Sequence, residues 1–117
     1  APQMDMTDTI SGRLQTIWNE GWLGDLDKLI EKNGTGCYAL ESVPFALSVF
    51  FRHPTDFRAG ILEAINAGGD TDTNAAMVGA LIGANCGIQA IPPEWLHFSA
   101  EFEEAVSLGR ELYRVLT

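Results

Sequence analysis

The residues best placed to do chemistry are Gly68-Gly69-Asp70-Thr71-Asp72-Thr73, lying between one helix end and the start of a helix rich in small residues. The two glycines permit a sharp turn and keep side chains away from whatever approaches its front. Asp70 and Asp72 stand two positions apart in what reads as a non-helical lead-in, so a local turn brings both carboxylates toward one point, and Thr73 adds a hydroxyl. Hard oxygen donors of this kind suit magnesium, manganese or calcium better than zinc or copper, which prefer nitrogen and sulfur. Two carboxylates held close repel, which raises the pKa of the pair unless a cation offsets the repulsion. The plain alternative is capping: an aspartate or threonine before a helix satisfies its unpaired amides, and Asp72 alone would need no other role. A DxDxT phosphatase loop is a poor match, because the threonine spacing is wrong and Ile65 to Gly69 is no buried strand. An EF-hand lacks its remaining donors, the closing glutamate included.

The elements that must position this turn read as helices throughout. A loose arm precedes a helix capped by Thr7 or Asp8, in which Ile10, Leu14, Ile17 and Trp18 recur at helical spacing. Gly21 interrupts it, and a second short helix carries Leu23, Leu26 and Ile30 to Lys32, before Asn33 and Gly34 turn the chain into a glycine-flanked loop. From Cys37 to Arg52 the chain is strongly apolar, with Val43, Leu47 and Phe50 on one face. Pro44 fits best in the first turn of that helix with Ser42 as cap, the alternative being a kinked helix that starts earlier. His53-Pro54 ends it, since the residue before proline avoids the helical region. Thr55 or Asp56 opens the next helix, whose Phe57, Ile61, Leu62 and Ile65 are expected to face inward. The helix from Thr73 to Gly87 carries two small-residue stripes, Ala76, Ala80, Ala84 and Gly79, Gly83, Gly87, which predict close approach by neighbours. After a turn at Ile91-Pro92-Pro93 bearing Trp95 and Leu96, Ser99 caps a last helix with Phe102, Val106, Gly109, Leu112, Tyr113 and Leu116 near one face. These patterns predict an all-α fold, a compact orthogonal bundle of about six helices. Residues 1–9 form the flexible arm and 10–117 a single helical domain.

Composition limits the function. With 117 residues, 46% apolar and 20% charged, the chain suits one folded domain. A net charge of -9 repels phosphate backbones and anionic lipid, so neither nucleic acid nor membrane is an expected partner. Cys37 and Cys86 have no CxxC partner or histidine cluster and read as thiols. No run approaches the roughly 20 apolar residues of a membrane span, and no signal peptide opens the chain, so the cytoplasm is the expected compartment. His53 and His97 have no acid or nucleophile at partner spacing and read as structural. Cys37 beside the glycine loop is reactive only if exposed, and Cys86 is expected to be packed. Trp18, Trp22, Trp95 and Phe50-Phe51 are core candidates; any left uncovered would mark a missing surface.

The turn, continued by Ala75-Ala76-Met77-Val78-Gly79-Ala80, Gly83-Ala84 and Gly87, resembles the carboxyl-terminal signature of the ADP-ribosylglycohydrolase family, which includes the dinitrogenase reductase activating enzymes. Gly34-Thr35-Gly36-Cys37-Tyr38, Glu41-Ser42-Val43-Pro44 and Ile91-Pro92 with Trp95 resemble family segments in the same order, from about residue 30 to residue 115. The resemblance implies an all-helical fold with a two-metal magnesium or manganese centre in a cleft. The implied reaction is hydrolysis of the N- or O-glycosidic bond of an ADP-ribosylated protein or a small ADP-ribose conjugate. It implies further that Asp70, Asp72 and Thr73 form the carboxyl-terminal half of the metal shell, and that Gly34, Gly36, Tyr38, Gly68 and Gly69 lie at the substrate. Family members are considerably longer, and their amino-terminal glycine-aspartate-alanine and threonine-aspartate-aspartate motifs are absent here. Thr7-Asp8-Thr9 echoes the second, but capping accounts for it. Beginning at Ala1, the chain is expected to be the carboxyl-terminal portion of such an enzyme or a free-standing remnant. It would then be inactive alone, unless a missing amino-terminal half or a second copy supplies the absent acids. The alternative is a non-catalytic helical interaction or structural module, or an oligomer that buries the Gly79, Gly83 and Gly87 stripe.

Overall fold

A computed structural model describes residues 9–20, 27, 30–31, 34–36, 38–96 and 99–117. The expected arm before Thr9, the caps at Thr7 and Asp8, the break at Gly21, the positions Trp22, Leu23, Leu26, Lys32 and Asn33, and Cys37 and His97 lie outside the described residues. Five α-helices are bounded: α1 (Ile10–Glu20), α2 (Ala39–Arg52), α3 (Phe57–Asn66), α4 (Thr71–Cys86) and α5 (Phe102–Leu116). No strand occurs among the described residues, and the all-α multi-helix architecture is the one expected.

Thr9 caps α1, its Oγ1 accepting from the Gly12 amide at 2.9 Å. Helix α2 begins at Ala39, with Tyr38 at the N-cap position making no side-chain cap bond, so Pro44 lies inside the helix and not in a first turn capped by Ser42. A proline there removes the amide that would bond the carbonyl four residues back. That carbonyl belongs to Leu40, and Arg13 Nη1 of α1 donates to it at 3.0 Å. The bulk of α2 turns a different face inward from the one expected: Pro44, Phe45, Ala46, Ser48 and Val49 are buried, whereas Val43, Leu47 and Phe50 are half-buried.

Asp56 opens α3 by accepting from the Ala59 amide at 3.0 Å, as expected. Its buried positions are small ones, Gly60 and Ala64, while Leu62 and Ile65 remain 43% and 46% exposed. The reason is the closeness of α4. A Cβ on Gly60 would stand 2.5 Å from Ile82 Cδ1 and 3.3 Å from Val78 Cγ1. Helix α4 is central, packing along α3 and across α2, and α2 meets α1. The stripe it buries is Asn74, Val78 and Ile82, not the alanines; Ala76, Ala80 and Ala84 are exposed. Of the glycine stripe, Gly79 meets Ile61 and Phe57, but nothing lies within 4 Å of a Cβ on Gly83. Branched side chains at Val78 and Ile82 remove more apolar area from water than alanines could, which sets the rotation of α4. The core is Phe45, Ala46, Val49, Ala64, Val78 and Ile82.

Two polar ties fix the ends of these helices. Arg52 and Glu63 form a paired ion contact, Nη2 to Oε1 at 2.7 Å and Nε to Oε2 at 3.0 Å, and His53 Nε2 lies 2.9 Å from Glu63 Oε2. His53 therefore has an acid partner that spacing along the chain did not suggest, and the role is structural: Glu63 binds the end of α2 to α3. At the other end of α4, Asn85 Nδ2 donates to the Pro54 carbonyl at 2.8 Å, and Cys86 is a half-buried thiol. Gly87 ends α4, and two 3-10 turns follow, Ile88–Ala90 and Pro93–Trp95. Trp95 packs edge-on to Phe57, and the Arg58 guanidinium sits 5.0 Å over its ring while pairing with Glu94. Ser99 bonds the Glu101 amide, but Glu101 holds the N-cap position of α5 without a side-chain cap bond. No residue of α5 is buried.

Candidate metal centre

The turn that carries the acids is made by Gly68 and Gly69, with φ of 78° and 73°, values that L side chains adopt only under strain. Gly69 is needed for a second reason: a Cβ there would overlap the Thr35 carbonyl. That contact is the floor of the site. Thr35 O accepts from the Asp70 amide at 2.8 Å and from Asn74 Nδ2 at 3.0 Å, which pins the glycine loop 34–36 to the start of α4.

Helix α4 starts two residues earlier than expected, at Thr71. Asp70 is thus its N-cap residue and Asp72 stands inside its first turn, not in a non-helical lead-in. Asp70 makes no side-chain bond to a helix amide, although its position is that of a cap. The neighbouring Asp70 carboxyl first, and then the amides of Thr73 and of Asp72 itself, hold the exposed Asp72 carboxyl below the usual carboxylate range. The expectation that proximity raises the pair is corrected for Asp72, because the hydrogen bonds at a helix start favour its charged form more than burial disfavours it. The Thr73 amide donates to Asp72 Oδ1 at 3.0 Å, and the Thr73 side chain is exposed.

Asp70, Asp72 and Thr73 therefore share one helix start. The chemistry of this donor set, all hard oxygens at an exposed site, fits a magnesium or manganese ion as part of a shell; an octahedral ion would need further oxygens from water or another segment. No group of three or more His, Cys, Asp or Glu side chains able to hold a metal occurs among the described residues. Of the positions expected at a substrate, Gly34 and Gly36 flank the Thr35 contact, while Tyr38 is 66% exposed at the start of α2. The loop and the acidic turn are thereby brought together, with Tyr38 at their edge.

Three residues that spacing did not single out build this site. Thr35 provides the carbonyl, and Glu41 Oε2 accepts from the Gly36 amide at 3.0 Å. Asn74 is fully buried, with its Oδ1 unpartnered. A signal for Glu41 exists in the sequence, since a glutamate in the third position of a helix commonly reaches back to an amide before it. Nothing in the sequence marks Asn74 as buried.

Known proteins resemble this chain along most of its length. A family model described as ADP-ribosylglycohydrolase matches residues 4–117. The chain is 35% identical over 99 residues to the ADP-ribosylhydrolase ARH3 of Mus musculus, covering 76% of this chain and 27% of that protein. It is 39% identical over 98 residues to ADP-ribosylhydrolase ARH3 of Danio rerio, covering 75% and 26%. Against the ADP-ribosyl-[dinitrogen reductase] glycohydrolase of Rhodospirillum rubrum it is 34% identical over 65 residues, 56% of this chain and 22% of the relative. The chain thus spans about a quarter of the length of the curated relatives it matches. No solved structure matches it significantly. On the matched residues and these identities, the chain belongs to the ADP-ribosylglycohydrolase family.

Proposed function

We propose that this chain supplies one side of the active site of a metal-dependent hydrolase that cleaves the glycosidic bond between ADP-ribose and a protein or small-molecule acceptor. The observation that carries the reading is that Asp70, Asp72 and Thr73 share the start of α4, pinned through the Asp70 amide to the Thr35 carbonyl, in a chain of this family. In it, Asp70, Asp72 and the Thr73 hydroxyl hold part of a magnesium or manganese shell. A divalent ion bound there supplies Lewis-acid stabilisation and an oriented water. The chain's own residues hold that donor set at a helix start, where the unpaired amides favour negative charge. Gly68, where nothing lies within 4 Å of an added Cβ, leaves room for the ADP-ribosyl group to approach the backbone, with Tyr38 at the margin. A chain of net charge -9 needs amides or cations to receive a diphosphate, and a divalent ion held by Asp70 and Asp72 would supply the charge. The remaining acids come from a missing amino-terminal half, or from a second copy. The cytoplasm is the proposed compartment, in keeping with Cys86 as a free thiol; no helix among the described residues is long and apolar enough to cross a membrane.

A second reading, a non-catalytic helical module, is favoured by one observation: α5 leaves Leu108, Leu112, Tyr113, Val115 and Leu116 at 60% exposure or more. One assay separates the two. ADP-ribose release from an ADP-ribosylated protein is measured with magnesium or manganese, for the 117-residue chain and for the product of its intact gene. The hydrolase reading expects release by the intact product, lost in its Asp72→Asn form, and none by the chain alone. A folded intact product that releases nothing favours the module.

A further inference from the structure

Glu41 stands in the first turn of α2, where helix amides lack partners. Its carboxylate turns back past Tyr38, and Oε2 accepts from the Gly36 amide at 3.0 Å. Atoms of the same side chain occupy the space that a Cβ on Gly34 or Gly36 would need, so the loop closes around Glu41. Glycines on both sides of Thr35 make that loop costly to order, and Gly34 adds a φ of 80°. A bond from an amide to a charged carboxylate is among the stronger means of ordering it. The cost of losing the loop falls on α4. Thr35 O accepts from both the Asp70 amide and Asn74 Nδ2, and Asn74 is fully buried with its Oδ1 already unpartnered. Were the Thr35 carbonyl to move, Asn74 would keep no partner for its buried amide, and Asp70 would lose the bond that sets its backbone.

We propose that Glu41 is a positioning residue for the cation site, ordering the Gly34–Gly36 loop so that the Thr35 carbonyl fixes Asp70 beside Asp72. The inference rests on the reading of Asp70 and Asp72 as metal ligands, but its first test needs no metal. Amide hydrogen exchange is followed by NMR in the metal-free 117-residue chain for wild type, Glu41→Ala and Glu41→Gln. Exchange at the Asp70 amide is expected to quicken about tenfold in Glu41→Ala and less in Glu41→Gln, whose side chain still accepts, while Ala64 and Ile82 amides in the core keep their rates. The second readout is manganese affinity, expected to weaken several-fold in Glu41→Ala with partial rescue by Glu41→Gln. An Asp70 amide that exchanges at the wild-type rate in both variants overturns the proposal. So does a uniform acceleration of every amide, which describes general destabilisation. Should the alanine variant not fold, the glutamine variant carries the same comparison. Absence of manganese binding by the wild type, with Asp70 exchange still governed by Glu41, would refute the metal reading and leave the positioning role standing.

Discussion

Asp70 holds the cap position of α4 without a side-chain cap bond, and its carboxyl is the leading cause of the lowered Asp72 pKa. This makes the pair testable without metal. Because the folded Asp72 carboxyl lies below the usual range, the stability it contributes is present above its unfolded pKa and is lost as pH falls through the lowered folded value. Carbon-detected NMR titration is expected to show the Asp72 midpoint moving upward in Asp70→Ala, since the leading cause of its depression is gone; an unmoved midpoint contradicts that cause. The two glycines before the pair separate strain from collision. Gly68→Ala has open space and should cost about 1–2 kcal/mol for the left-handed backbone alone. Gly69→Ala meets the Thr35 carbonyl as well and should cost about 3 kcal/mol or more, measured by urea unfolding. At this scale the sequence was informative about chemistry and less so about geometry. The residue types at 68–73 announced a sharp turn with hard oxygen donors. The non-local partner, a backbone carbonyl 35 positions from Asp70, carries no residue signature because any residue has one.

Among the elements, α2 shows why proline is a fallible marker of a helix start. Pro44 was expected near the first turn because an interior proline orphans a carbonyl, but Arg13 of α1 reaches that carbonyl at Leu40. Arg13→Ala should therefore destabilise the chain by about 1–2 kcal/mol, read from urea midpoints at unchanged slope, because a partly buried carbonyl loses its donor. A variant as stable as wild type would show that the contact compensates nothing. The helices themselves were legible from periodicity and from caps such as Asp56. Their rotations were not. In α3 the expected inward residues Leu62 and Ile65 gave way to Gly60 and Ala64, since contact with Val78 and Ile82 of α4 requires small residues at the crossing. The glycine that mattered for close approach was Gly60, while Gly83, in the conspicuous stripe, meets nothing.

Across the whole molecule, a small core between α2, α3 and α4 holds the acidic turn, and α5 stands at its margin with an apolar face still exposed. Stability should divide accordingly. Ile82→Ala is expected to cost about 2–5 kcal/mol through lost burial and a cavity, whereas Leu112→Ser should stay within about 0.5 kcal/mol of wild type in the same unfolding assay. The family and the all-helical architecture could be read from the sequence because the motifs around residues 34–44 and 68–87 are dense in glycines, acids and small residues whose types are constrained by sharp turns and close backbone approach. The central claim is that this turn offers a cation its oxygens from two side chains acting together. Manganese binding to the 117-residue chain, followed by calorimetry, tests it most directly. Dissociation is expected at about 0.1–1 mM for wild type and at least about tenfold weaker for both Asp70→Asn and Asp72→Asn. No heat from the wild type at about 10 mM manganese, well above that range, or equal affinity in all three proteins, would contradict it.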